Sequence, residues 1–239
     1  MSKPLELTSV IRQARGPQHT ATVLFLHGLG DSGKGWIQTA DQIGQTMPHV
    51  KFILPNAPVR PVTIFNGYRT PAWFDILQSG HLERMLSPDD AETWILNTAN
   101  SVNRLILDEV DSGIPAQRIV VGGFSQGCAQ ALVTSLISEY KFAGIIGLGG
   151  YLPSKDKILS IATDANKNTP IFVAHGDADE TVPFNVGEMT SEILKDKGYN
   201  VTFKSYAHLG HWINEDVTQD MLSFLQQTFV RKLWNLYDI

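Results

Sequence analysis

The sequence predicts an α/β fold in which a mostly parallel central sheet is covered by helices on both faces. Short runs rich in valine, isoleucine and phenylalanine alternate with longer segments of helical periodicity, which is typical of strand–helix–strand units. Several of the short runs are apolar enough to be buried on both faces. In sheets of this kind, functional groups are expected just beyond the carboxyl ends of the strands.

The individual elements follow from these patterns. The clearest helix covers 90–110, where apolar residues recur at three-to-four spacing, acidic residues stand at the start and Gly113 follows the end. Similar patterns predict helices at 35–45, 126–140, 186–197 and 217–234. Strands are expected at 22–26, 51–54, 118–122, 143–148, 170–174 and 201–206.

The segment 56–89 interrupts this alternation. Prolines and glycines recur in it without sustained periodicity. Irregular connections of this length are usually functional or disordered, and the aromatic residues argue against disorder. We therefore expect a pocket wall, with Trp73, Phe74 and Ile76 as candidate substrate-binding residues.

Length and composition exclude several classes of protein. The chain has 239 residues and no repeat or linker-like tract, so we expect one domain spanning 1–239, without a separate cap domain. The 19 basic and 24 acidic residues argue against nucleic-acid binding. A single cysteine excludes an internal disulfide, and the histidines show no metal-ligand pattern. Without a signal-peptide or membrane-span pattern, we expect a cytoplasmic protein with at most transient membrane contact.

A glycine-rich turn after the first parallel strand has three interpretations. Its sequence, HGLGDSGKG, contains the G-x-G-x-x-G of dinucleotide sites and nearly matches a phosphate-binding loop. The phosphate loop needs a hydroxyl residue after the lysine, but Gly35 follows Lys34. The dinucleotide site needs an acidic residue after the next strand, where the chain reads LPNAP. The third interpretation is a loop whose backbone N–H groups stabilise an oxyanion, and the turn alone does not decide.

The segment GGFSQG favours the oxyanion loop. Gly123, Ser125 and Gly127 form G-x-S-x-G between a predicted strand and an alanine-rich predicted helix. In that context the serine occupies a strained turn, and the residues two before and two after it must be small because strand and helix crowd them. The helix N-terminus places the positive end of its dipole near the serine. Ser125 is therefore the candidate nucleophile.

A serine nucleophile needs a general base, and the base needs an acid that orients it. Hydrolases of this architecture supply them in the order serine, acid, histidine. The downstream segments HGDADETVP and AHLGH both follow predicted strands. Spacing leaves Asp177 and Asp179 open as the acid, and His208 and His211 open as the base.

At this point the sequence resembles the acyl-protein thioesterase/lysophospholipase group of α/β-hydrolases, also called the phospholipase/carboxylesterase family. The matching segments are FLHGLGDSGKGW, PNAP, PAWFDI, DSGIPAQRIVVGGFSQG, HGDADETVP and FKSYAHLGHW. The resemblance implies an α/β-hydrolase fold and a serine-dependent thioesterase or carboxylesterase that needs no cofactor or metal. Acylated proteins are the implied substrates; the alternatives are a lysophospholipase or general carboxylesterase and, more remotely, a non-catalytic acyl-group binder. A monomer or weak homodimer is expected.

The resemblance also implies residue roles. In the family pattern H-G-x-x-D-x-x-V-P the second aspartate is catalytic, which implies Asp179, and the final histidine of Tyr-x-Gly-Met-x-His implies His211. The backbone N–H groups of Leu29 and Gln126 are the implied oxyanion hole.

Two departures from the family patterns concern neighbouring positions. His208 stands where the family usually has glycine, and Tyr151 replaces a tryptophan that would line the acyl pocket. Tyr151 and Thr181 complete the candidate substrate-binding residues.

Overall fold

The structure is a computed structural model that describes residues 5–77 and 92–234. Its helices are α1 (Ile37–Thr46), α2 (Glu92–Asp111), α3 (Gln126–Ile137), α4 (Lys155–Ile161), α5 (Phe184–Asp196) and α6 (Glu215–Trp234). Its strands are β1 (Ser9–Arg12), β2 (Ala21–Leu26), β3 (Val50–Pro55), β4 (Val59–Val62), β5 (Tyr68–Pro71), β6 (Ile119–Phe124), β7 (Gly144–Leu148), β8 (Ile171–Gly176) and β9 (Val201–Tyr206).

The described residues form a seven-stranded central sheet in the order β1-β3-β2-β6-β7-β8-β9. β1 pairs antiparallel with β3, and the other neighbouring pairs are parallel. This confirms the predicted fold class. The chain winds outward from β2 to β3 and then returns to the other side of β2 at β6. The carboxyl ends of β2 and β6 therefore flank a topological switch point, where α/β sheets bind ligands.

Alternate residues of the buried strands supply two hydrophobic cores, one on each face of the sheet. In β2, Leu24 and Leu26 belong to one core, and Val23 and Phe25 belong to the other. Apolar residues of α2 and α3 complete the first core, and those of α1 and α6 complete the second. Because helices cover both faces, β2 is buried at every position.

The structure contains the predicted helices with small differences at their ends. The largest difference is at the end of α3, predicted at residue 140 and found at Ile137. Gly113 follows α2 with a φ of 100°, a left-handed conformation that favours glycine at a helix end. The short elements β1 and α4 were not predicted, because so few residues carry too little periodicity.

Within the segment 56–89, residues 59–71 form a hairpin. β4 and β5 pair antiparallel, whereas the sequence indicated an irregular connection. The sequence did not predict β4 because that strand contains Pro61. Proline is tolerated only in edge strands, and both strands of a two-stranded sheet are edge strands. Residues 78–89 of the expected pocket wall lie outside the described residues. Among the helices that the structure describes, none is long and apolar enough to span a bilayer.

Candidate active site

Ser125 lies in a sharp turn between β6 and α3. Its φ of 56° and ψ of −121° are strained for a residue other than glycine. A Cβ on Gly123 would lie 2.3 Å from backbone atoms of Gly127, and a Cβ on Gly127 would lie 2.1 Å from the carbonyl oxygen of Leu26. The turn therefore requires glycine at both positions and points the serine hydroxyl beyond the carboxyl edge of the sheet.

Ser125, His211 and Asp179 form a continuous hydrogen-bonded chain. The Nε2 atom of His211 is 2.8 Å from the Oγ atom of Ser125, and its Nδ1 atom is 2.7 Å from Oδ2 of Asp179. A carboxylate only accepts hydrogen bonds, so Nδ1 carries the proton and Nε2 accepts the serine hydroxyl. The three residues meet because they follow β6, β8 and β9, whose carboxyl ends share one edge of the sheet.

Asp179 is held in place by several donors. Its Oδ1 atom accepts the backbone N–H groups of Thr181 and Val182, both at 2.9 Å. Burial by itself raises the pKa of Asp179 and is the largest single influence on it. Hydrogen bonds from His175, His211 and the Val182 N–H, with the electrostatic attraction of His211, together outweigh burial and hold the pKa of this carboxyl well below its usual range. The acid is therefore ionised and oriented toward the imidazole of His211.

The alternative pair, Asp177 and His208, closes a surface turn instead. Both residues are exposed, and the backbone N–H of His208 donates to Oδ1 of Asp177 at 2.6 Å. His208 has a φ of 58°. That conformation favours glycine, which is the residue that the resemblance leads one to expect at this position.

The turn after β2 packs directly against the serine, as an oxyanion loop must. A Cβ on Gly28 would lie 3.4 Å from the Cβ of Ser125. Leu29 and Gln126 both line the cavity beside the serine. Within the described ranges, their backbone N–H groups take part in no backbone hydrogen bond. Both N–H groups are therefore available to a reacting oxygen.

Trp73 and Phe74 do not line this cavity, in contrast to the expectation from sequence. Both side chains are fully buried in the core. The Nε1–H of Trp73 donates to the carbonyl of His27 at 2.7 Å. The side-chain amide of Gln126 accepts the Trp73 N–H and donates to the Phe74 carbonyl, both at 2.8 Å. The two aromatic residues therefore brace both sides of the candidate oxyanion hole.

His27 is a second brace of the same loop. Its Nδ1–H donates to the carbonyl of Gly28 at 2.7 Å, and its Nε2 accepts the N–H of Ala57 at 3.0 Å. Burial lowers the pKa of His27. A neutral imidazole with one donor and one acceptor satisfies both contacts.

A cavity of about 350 Å³ opens beside Ser125 and His211. Of the predicted substrate-binding residues, Ile76, Tyr151 and Thr181 line it. Sequence reasoning missed four apolar lining residues, Ile64, Phe65, Phe124 and Val182, and the acidic residue Asp31 of the glycine-rich turn. In the part of the chain that the structure describes, no group of three or more histidine, cysteine or acidic side chains could hold a metal ion.

Comparison with protein families gives a match to the model described as Phospholipase/Carboxylesterase over residues 7–229. The chain belongs to the phospholipase/carboxylesterase family. Like other members of this family, it is a serine hydrolase with an α/β-hydrolase fold.

Relatives within the family share most of their length with this chain. It is 46% identical to acyl-protein thioesterase 1 of Neurospora crassa over 198 residues, covering 81% of each protein. It is 43% identical to acyl-protein thioesterase 1 of Yarrowia lipolytica over 213 residues, covering 87% of this chain and 92% of the relative.

Solved structures of plant proteins have the same fold. SOBER1 of Arabidopsis thaliana has a TM-score of 0.83 at 29% identity, over 88% of this chain and 99% of that one. Acyl-protein thioesterase 2 of Zea mays has a TM-score of 0.75 at 28% identity, over 92% of this chain and 98% of that one.

Proposed function

We propose that this protein is an acyl-protein thioesterase, which hydrolyses the thioester between a fatty acyl chain and a cysteine of a substrate protein. One observation carries the proposal. A largely apolar cavity of about 350 Å³ opens directly onto the hydroxyl of Ser125, which is hydrogen-bonded to His211. An acyl chain in this cavity would present its carbonyl carbon to the serine. The names of the relatives support the same substrate class.

The first step forms an acyl-serine. As Oγ of Ser125 attacks the thioester carbonyl, Nε2 of His211 takes its proton, and the carboxylate of Asp179 stabilises the resulting imidazolium. The N–H groups of Leu29 and Gln126 donate to the oxyanion, and each such donor is worth roughly 10²–10³ in rate. The carbon–sulfur bond then breaks, and the imidazolium of His211 gives its proton to the departing cysteine sulfur, which returns the base to its neutral form. Breaking this bond depends less on that proton than breaking an oxygen ester does, because a thiol is far more acidic than an alcohol.

The second step hydrolyses the acyl-serine. Water enters the site, and His211 takes a proton from it as the water oxygen attacks the acyl carbonyl. The same N–H groups stabilise the second oxyanion. The bond between the acyl carbon and Oγ of Ser125 then breaks, the fatty acid leaves, and the imidazolium returns its proton to the serine oxygen.

Direct comparison of substrates tests the proposal. The purified protein is assayed on an S-palmitoyl peptide, a lysophospholipid and a short aryl ester, with thiol and fatty-acid release as readouts. We expect the highest kcat/KM on the S-palmitoyl peptide. A clear preference for the lysophospholipid would make the protein a lysophospholipase. Ser125→Ala should abolish nearly all turnover, leaving roughly 10³–10⁴ over water, and near-normal hydrolysis by this variant would overturn the mechanism.

The two aspartates provide a matched control. Asp179→Asn should lower kcat on the order of 10⁴-fold, because an amide favours the wrong tautomer of His211. Asp177→Asn should keep wild-type activity, since the amide oxygen still accepts the N–H of His208. Equal losses in both variants would contradict the assigned roles. A fluorophosphonate probe should label Ser125, and its failure to label the folded wild type would favour a non-catalytic acyl binder.

A further inference from the structure

A second histidine lies behind the triad. His175, in β8, is 1% exposed. Its Nε2 atom is 2.9 Å from the carbonyl oxygen of Val182 and 3.4 Å from Oδ2 of Asp179. The same Oδ2 atom lies 2.7 Å from Nδ1 of His211. Two imidazoles therefore approach one carboxylate oxygen from different sides.

The surroundings of His175 define its tautomer. Both groups that face Nε2 are hydrogen-bond acceptors, so Nε2 carries the proton. The Nδ1 atom is buried and has no hydrogen-bond partner. It packs against Gly187 of α5, where a Cβ would lie 2.1 Å from Nδ1. The glycine thus lets α5 hold the imidazole against the loop that carries Asp179.

We propose that His175 is a positioning residue of the triad, whose Nε2–H holds the Val182 carbonyl and competes with His211 for Oδ2 of Asp179. This inference rests on the triad of the proposed function. The contact with Val182 fixes the position of the loop that carries Asp179, because the N–H of Val182 donates to Oδ1 of Asp179. The contact with Oδ2 limits how strongly the carboxylate pairs with the imidazole of His211.

The competition has a consequence for the pH dependence of the reaction. Without the His175 donor, Oδ2 of Asp179 would pair with the His211 imidazolium alone, and the protonated base would be more stable. The acid limb of the kcat/KM profile should then move to higher pH. Among the described residues, the other titratable group in the small cavity behind Asp179 is Tyr206, and its hydroxyl donates to Asp220 instead.

Two amide substitutions distinguish the effect of the donor's position from the effect of losing the imidazole ring. In His175→Gln the side-chain N–H can reach the place of Nε2, whereas in His175→Asn the shorter amide reaches only the place of Nδ1. We expect His175→Gln to leave the pH of the acid limb unchanged and to retain nearly all of the wild-type kcat. We expect His175→Asn to lower kcat on the order of tenfold at unchanged KM and to move the acid limb upward by about half a pH unit.

The assay uses the short aryl ester across about pH 5 to 9, the range in which histidine titrates. With this substrate the test does not depend on whether the enzyme prefers thioesters. If the proposed function is wrong, the wild-type protein will show it by low activity on the S-palmitoyl peptide. Failure of this inference would appear only in the comparison of variants. Equal losses in both amide variants without a displaced limb would mean that His175 has a merely structural role, and would overturn the proposal.

The wild-type protein offers a test that does not depend on a variant folding. Nitrogen NMR of ¹⁵N-histidine-labelled protein reports which ring atom carries the proton. We expect His175 as the Nε2–H tautomer with a bare Nδ1, and an Nδ1–H tautomer would overturn the proposal.

Discussion

Replacing Gln126 by glutamate should make the stability of the protein depend on pH in a new way. Gln126 is 2% exposed, and its side-chain amide joins the Trp73 N–H to the Phe74 carbonyl. In Gln126→Glu the introduced carboxyl still accepts from Trp73, but once ionised it cannot donate to Phe74. A buried carboxylate would then face a carbonyl oxygen that is 2.8 Å from the present amide nitrogen.

The size of the effect follows from linkage. An unperturbed glutamate has a pKa of about 4.3, and burial of this kind raises the pKa of a glutamate to about 8. The folded state then holds the proton more tightly than the unfolded state, so the folded state loses stability as pH rises. At about 1.4 kcal/mol per pKa unit, ionisation costs about 1 kcal/mol at pH 5 and about 4 to 5 kcal/mol at pH 8.

Urea unfolding at pH 5 and pH 8 measures this difference. Gln126→Met is the matched control, because it loses both side-chain hydrogen bonds without introducing a charge. Its loss of stability relative to the wild type should be the same at both pH values. If Gln126→Glu also lost the same free energy at both, the amide would not be the buried bridge that the structure describes.

Other substitutions test the turn, the cavity and the alternative base. Gly127→Ala should destabilise the protein by about 1–3 kcal/mol and reduce fluorophosphonate labelling of Ser125, because the new Cβ would meet a backbone oxygen that cannot move aside. Wild-type stability and labelling in this variant would refute the prediction. Ile76→Trp should narrow the cavity. The ratio of kcat/KM on a long-chain aryl ester to kcat/KM on a two-carbon aryl ester should then fall by roughly tenfold or more. An unchanged ratio would exclude Ile76 from the acyl site. His208→Gly should preserve kcat/KM and change the free energy of unfolding by less than about 1 kcal/mol, whereas loss of turnover would identify His208 as the base.

Much of the fold could be predicted because it depends on local patterns. Burial on both faces makes a strand such as β2 continuously apolar, and one buried face gives α2 its three-to-four periodicity. The hairpin of β4 and β5 has neither signal, since Pro61 lies within it and six of its eight strand residues are exposed or partly exposed. Its pairing depends on the chain reversal at Asn66 and Gly67, both of which have positive φ.

The candidate site divides in the same way. The glycines around Ser125 could be interpreted from sequence, because the crowding that requires them arises within one strand–turn–helix unit. Spacing could not choose between Asp177 and Asp179, since both follow the same strand by a few residues. Resemblance to a family indicated Asp179, and the structure brings that carboxylate to His211.

The sequence by itself determined the architecture and the tight turn at the candidate nucleophile, because each gives patterns among residues close together in the chain. Only the tertiary structure decided which apolar residues contact the cavity. Trp73 and Ile76 are near neighbours in sequence, yet one is fully buried behind the oxyanion loop and the other faces the cavity. That difference arises from the packing of segments distant in sequence, which no local pattern records.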